Sequence, residues 1–544
     1  ATFNTATAGV VSMTLTSSTT RAPTDLVWSG AASALWDTSA LNWKFAVGGA
    51  ATAYLAQDRV RFDDTLTGNP AVSVAGPLYP ATVTVDAAAA YTFTATAGGL
   101  AGSVNVVKTG SGTLNLVGGN THTGGFTLQS GTLALADETA NLTGLGTGPI
   151  TLSGGTLQQL DGSGSYSTAT YDLRVPAGAS PTLRADSRME LFGPLTGSGT
   201  LNLYVPWVRF KVSGDWSAFT GRINVTSDSD GGLFRLSSTA GLPLARVDLG
   251  SKVTLLAFLS QTQTLAVGAL SGASDAVLSG IANDNNTPAS AYVATWQIGG
   301  LGTDATFSGA ITNGTSPSRT AITKAGAGTW TVGGNCTYTG PTVVSAGTLL
   351  FAGTLTNTST VEVLSGATLN LTGTLTVASV TIRSGGTLTG SGVINGTLIN
   401  EGSFLADGAT GWTINGAVTN SATGVIRFTR GATLVATGAV TNSGTIDFIT
   451  AGSALPAGLT GTGATLTSAN VAVPGISTVS GTDLQVSLPT YSGHLYQLQR
   501  CTDLTSASWV NVGVAQSGTG GTLVFTDTPA PTDTRVFYRV VVSP

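Results

Sequence analysis

The sequence predicts an all-β chain, a long parallel β-helix (β-solenoid) followed by a small β-sandwich-like domain. Three observations lead there: a Gly-rich composition with few charges, strands of alternating polarity between Gly turns, and internal repeats. Only 9% of the 544 residues are charged and 74 are glycine, against roughly 25% and 7% in an average soluble protein. Disordered chains combine low hydrophobicity with high net charge. Here mean hydropathy is +0.27 and net charge is −5. Apolar residues are spread thinly along the whole length, which suits an extended core better than a spherical one.

From the N-terminus, residues 1–25 are expected to form an extended, Thr/Ser-rich arm with a short alternation at Val11, Met13 and Leu15. Residues 26–97 are richer in aromatics and acids, with Trp28, Trp36, Trp43, Tyr54 and Phe62 beside Asp37, Asp58, Asp63 and Asp64. A solenoid needs caps, because its terminal coils expose apolar surface and unpaired strand edges. This segment is therefore expected to form the N-terminal cap and first coils.

Residues 98–470 are expected to form the β-helix. Lys108–Leu135 reads KTGSGTLNLVGGNTHTGGFTLQSGTLAL, and Lys324–Phe351 reads KAGAGTWTVGGNCTYTGPTVVSAGTLLF. A looser copy starts at Gly197. Leu114 and Leu116 alternate with Thr113 and Asn115, and a period of two places one set inside and the other outside. Glycines supply the corners. Such short strands are stable only when successive coils stack and pair. Further on, AVTNSATGVIRF (Ala417–Phe428) and AVTNSGTIDF (Ala439–Phe448) place Asn420 and Asn442 at equivalent turns. The expectation is either left-handed backbone or an asparagine ladder there. Residues 471–544 change character, with Pro-rich turns and arginine–aromatic pairing, and read as a β-sandwich of six or seven strands.

The Lys108 and Lys324 blocks resemble the autotransporter-associated β-strand repeat of bacterial surface proteins, whose pattern runs K-x-G-x-G-T-L-x-L, G-x-N-x-Y-x-G, T-x-V-x-x-G-T-L. Lys324, Gly326, Gly328, Thr329, Asn335, Tyr338, Gly340, Thr342, Val344, Gly347 and Thr348 fit it with one residue of slack. The first block departs at His122, and the second at Trp330 and Pro341. Residues 26–97 look like the leader found ahead of such repeats. Val471–Pro544 is similar to a C-terminal module of exported proteins from Verrucomicrobia-like bacteria. The resemblance implies a right-handed parallel β-helix outside the cell, and it carries no catalytic motif. A complete autotransporter ends in a membrane barrel, for which about 70 residues are too few. Export by another route, with a signal peptide removed ahead of Ala1, is the expectation.

Composition also excludes function classes. Nucleic acid binding requires clustered Lys and Arg, and no apolar run approaches the roughly 20 residues of a membrane helix. Cys336 and Cys501 are expected to be free thiols. Asp and Glu total 27 and are scattered, whereas glycoside hydrolysis needs two positioned carboxylates. Asp228-Ser-Asp230-Gly-Gly has the opening of a Ca²⁺ loop without its distal Glu, so a plain polar turn is the expectation. Asp63 and Asp64 read as a turn or cap, and Lys108 and Lys324 as turn anchors. His122 reads as packing or a solvent-facing corner. The two histidines lie in different regions, which supports neither a zinc site nor a triad. No catalytic, cofactor or metal site is assigned, and no cofactor is expected.

The reading is an extracellular structural solenoid, a surface, matrix or fibre subunit. Its expected partner is itself, head to tail, through the arm that carries Val11, Met13 and Leu15. An adhesin or glycan-binding surface protein is the alternative. A polysaccharide lyase or hydrolase comes third. Neither nucleic acid nor a membrane span is expected.

Overall fold

Alternating polarity becomes, in three dimensions, a column of buried side chains that each coil adds to. The structure is a computed structural model. It describes all residues except 1, 8–9, 15–20, 97, 136–143, 160–166, 187, 207–208, 283–290, 357–358, 407–410, 452–454, 481–482, 506–507, 530–532 and 534. Two units make up the chain, Ala1–Leu256 and Ala257–Pro544. Among the described residues, helix is limited to one 3-10 turn at Ser468–Asn470.

In the first unit, one parallel sheet stacks Tyr91, Leu114, Leu133, Leu157, Leu183, Leu203, Val225 and Leu249 in register. All eight are buried. A second parallel sheet runs from Arg59–Asp63 through Thr82–Asp86, Asn105–Thr109 and Phe126–Leu128 to Leu195–Gly197. A third joins in from Ser167–Ala169 onward. The first coils are closed by an antiparallel strand, Trp43–Phe45, paired with Asp25–Trp28. Over them lies one aromatic cluster. Trp28, Trp36, Trp43, Tyr54 and Phe62 are all buried, with ring centroids 5.1–6.3 Å apart in the contacts Trp28–Trp43, Trp36–Tyr54 and Trp43–Tyr54. Edge-on packing of this kind gives a cap a dense apolar plug.

The second unit repeats the scheme with its own column: Ala305, Trp330, Leu349, Leu369, Leu388, Phe404, Ile426 and Ile446. Corner glycines allow the coils to stack closely. Gly326 has φ +68°, and a Cβ there would collide with the Gly299 carbonyl. Only glycine meets both demands.

After the last coils come two antiparallel sheets. Asp483–Pro489 is flanked by Gly475–Ser480 and Thr522–Asp527. Leu495–Cys501 is paired with Phe537–Ser543 on one side, and with Val510–Asn511 and Gln516–Ser517 on the other. Val486, Leu488, Tyr496, Leu498, Val512 and Phe525 fill the space between the sheets, a sandwich core.

The N-terminal arm is not a single extended segment. Thr2–Thr7 and Val10–Thr14 pair antiparallel, with Phe3 opposite Met13. Val11 and Met13 lie on the second strand, and Leu15 falls outside the described residues. The register shifts between Asn4 and Thr7, and the two strands pair up to Thr7 opposite Val10.

Candidate interaction surfaces

The residues singled out in the sequence serve mostly to build corners. Lys324 is buried, and its Nζ donates to the carbonyls of Ala325 (2.7 Å), Gly326 (2.8 Å) and Ala346 (3.1 Å). Lys108 does the same for Thr109 (2.6 Å), Gly110 (2.9 Å) and Ser130 (3.4 Å). In each case one ammonium fills its three donor positions and ties a corner to that of the next coil. The K-x-G pattern follows: the lysine supplies donors where the corner exposes carbonyls. Burial pushes Lys324 down to about 8, against which the three carbonyl acceptors favour the ammonium form.

Asn420 and Asn442 form a ladder, which Asn400 extends by one rung. Asn400 Nδ2 donates to Asn420 Oδ1 and Asn420 Nδ2 to Asn442 Oδ1, both at 2.8 Å. All three are buried. Asn400 was not legible because its segment, TLINEGSF, lacks the VTN triplet.

The acidic residues are likewise occupied. Asp58 is fully buried and accepts Arg21 Nη1 (2.8 Å), Arg21 Nη2 (2.6 Å) and the N–H groups of Thr24 and Leu55. This fixes the root of the N-terminal arm. Asp63 accepts the N–H of Thr65, and Asp64 those of Ala88 and Ala89. Those two backbone donors hold Asp64 below the usual carboxylate range. Asp228 Oδ1 accepts the N–H of Asp230 at 3.0 Å, and Lys252 Nζ donates to the Ser229 carbonyl at 2.6 Å. The Asp228–Asp230 segment is therefore a self-bonded turn with a cation already on its carbonyl.

His122 is buried at the position where the second repeat has Tyr338, which is also buried. Packing, and not a solvent-facing corner, is its role. Tyr338 Oη bonds Thr342 Oγ1 at 2.6 Å. Neither ring nitrogen of His122 has a partner, and burial pushes the imidazole down to about 4. Cys336 and Cys501 are free and buried, and burial pushes the Cys336 thiol up to about 11.

The C-terminal module docks on its own unit's solenoid through charge. Asp447 Oδ2 meets His494 Nε2 at 2.7 Å and Arg427 Nε at 3.1 Å. Arg427 also donates to the carbonyls of Ser492 (2.9 Å) and Gly493 (3.1 Å). The hydrogen bonds from His494, the Ile449 N–H and Arg427 outweigh burial and hold Asp447 low. Sequence reading missed this clasp, since its partners are 47 residues apart in unrelated motifs.

The outer face of the four-stranded sheet is open. Arg539 lies over the Trp509 ring, 4.4 Å from its centroid, and its Nε donates to Gln499 Oε1 at 2.8 Å. Gln499 Nε2 in turn donates to Asn511 Oδ1 at 2.8 Å. Among the described residues, half of the exposed large hydrophobic side chains fall between Val473 and Val541. The other unpartnered element is the N-terminal hairpin. Among the described residues, its two strands pair only with each other. No described helix is long and apolar enough to cross a membrane, and no described cluster of three or more His, Cys, Asp or Glu is placed to hold a metal ion.

The chain is 30% identical over 130 residues to the Adhesin BmaC autotransporter of Brucella suis biovar 1 (strain 1330). That alignment takes in 24% of this chain and 4% of the relative, so the chain spans a small part of that protein's length. Residues 106–135 and 322–351, the two segments built around the corner lysines, match the family described as Passenger-associated-transport-repeat.

Proposed function

We propose that this chain is a non-enzymatic, extracellular surface scaffold that associates with further copies of itself through its N-terminal hairpin. The observation that carries the reading is the two-stranded sheet Thr2–Thr7/Val10–Thr14, which joins no other described strand. An isolated hairpin is marginal in water and becomes stable when a third strand joins it. Residues 1–20 contain no charge, and an uncharged strand lacks the usual guard against edge pairing. Surface exposure is supported by the likeness to passenger repeats and to an adhesin. The non-enzymatic reading is supported by carboxylates already engaged with arginines and turn N–H groups. Light scattering after size exclusion tests it: the intact chain should run as multimers and a chain lacking residues 1–20 as a monomer. Identical masses would overturn the reading.

A second reading, an adhesin that contacts glycans, is favoured by the open Trp509–Arg539–Gln499–Asn511 face. Aromatic rings beside amide and guanidinium donors suit sugar surfaces. A glycan array on the intact protein, repeated with Trp509→Ala, tests it. Binding that is absent, or unchanged by the substitution, would remove this reading.

A further inference from the structure

We infer that the acceptor for the N-terminal hairpin is the free edge of the Phe537–Ser543 strand in a second copy of the chain. The inference rests on the self-association reading and names the surface which that reading leaves open. Among the described residues Phe537–Ser543 pairs with Leu495–Cys501 alone. That pairing is regular over all seven residues, so the opposite edge presents a straight row of backbone donors and acceptors. Such an edge is a template for another strand.

The three other edges of the module are blunted. Val510–Asn511 and Gln516–Ser517, on the far side of the four-stranded sheet, have two residues each, and very short edge strands offer little to pair with. Gly475–Ser480 has a register irregularity between Thr478 and Ser480, and bulges discourage strand addition. Thr522–Asp527 ends in the buried Asp527, which is committed to Arg500 and Tyr538. A charge held inward guards an edge in the same way. Phe537–Ser543 reads FYRVVVS, with Arg539 its one charge. Val541 is 39% exposed and has Gln497 as its neighbour on the paired side alone. A strand added on the open side would give it a second cross-strand neighbour.

The end of the same strand leads into a cleft. Val542, Ser543 and Pro544 line a cavity of about 700 Å³ of mixed character, with Phe448, Ile449 and Leu455 on its apolar part and Arg430 on its polar part. Leu455 is 46% exposed, so the cleft offers apolar area to whatever lies along the strand. The hairpin, with no charged side chain in residues 1–20, sets no like charge against Arg430.

Disulfide trapping tests the assignment. Cysteines are placed in the hairpin (Thr5→Cys or Ser12→Cys) and on the module (Val541→Cys), with Val524→Cys and Ser477→Cys as controls on the two edges of the three-stranded sheet. Cys336 and Cys501 are buried and give little background. The expected result is a ladder of reducible multimers with Val541→Cys and none with either control. Val541→Lys should lower self-association at least tenfold while leaving the unfolding midpoint unchanged. Crosslinks to Val524→Cys or Ser477→Cys, or assembly that Val541→Lys leaves intact, would overturn the acceptor assignment while leaving the hairpin as donor. Intact protein that is monomeric throughout would remove both.

Discussion

Replacing Asn420 by alanine removes the central rung of a buried ladder. Its side chain accepts from Asn400 Nδ2 (2.8 Å) and donates toward Asn442 Oδ1 (2.8 Å), Gly424 O (3.1 Å) and Thr445 O (3.1 Å). Two amide hydrogens serve these three acceptors, so three strong bonds are lost. Some partners keep a second contact: Asn400 Nδ2 still donates to Val425 O, Asn442 Oδ1 still accepts the Gly444 N–H, and Gly424 O still accepts the Thr445 N–H. The cost is therefore close to the net worth of three bonds, about 1 kcal/mol each, and below the full penalty of stranded groups. About 3 kcal/mol corresponds to a roughly 100-fold change in a local opening equilibrium. Solenoid coils unfold in part independently, so the readout is hydrogen exchange over Val393–Asp447. Asn420→Ala should accelerate exchange about 100-fold there, and Asn420→Asp more, because a carboxylate would face three acceptors. Asn415→Ala, which removes an exposed bond to Asn395, should change it less than about threefold. Equal effects of Asn420→Ala and Asn415→Ala would refute the ladder argument.

Three further outcomes are expected. Lys324→Met strands the carbonyls of Ala325, Gly326 and Ala346 and should destabilise the second unit by about 3 kcal/mol, read as a shift in denaturant midpoint. His122 has a folded pKa depressed from 6.5 to about 4. Its contribution is thus complete above pH 6.5 and declines as pH falls toward 4, by about 3 kcal/mol in all; His122→Phe should flatten that slope in thermal melts recorded between pH 7 and 4. Arg427→Ala removes the guanidinium that joins Asp447 to the Ser492 and Gly493 carbonyls, and should speed exchange in Leu495–Cys501 about tenfold, by loss of roughly 1–2 kcal/mol of docking.

Much of this architecture was legible because a solenoid writes its physics locally. Leu114 and Leu116 face inward because of their spacing, and a corner lysine with its glycines is contained within a few residues. The aromatic plug of Trp28, Trp36, Trp43, Tyr54 and Phe62 was visible as a shift in composition. Contacts between coils were legible only where two coils repeat each other, as with Asn420 and Asn442. Asn400 and the Asp447–His494 clasp have no such repeat, so nothing in the local sequence marks them. The hairpin was half legible: the alternation at Val11 and Met13 marked a strand, but the polar TFNTAT segment gave no sign that it was the partner. Interaction surfaces are the least legible part, because an open strand edge is defined by which neighbour is missing.

The central claim is that the solenoid is a scaffold whose copies are joined through the N-terminal hairpin. Negative-stain electron microscopy of the intact chain beside a chain lacking residues 1–20 tests it most directly. Multimers are expected for the intact chain and single particles for the truncated one. Single particles in both samples, or multimers that survive the truncation, would contradict it.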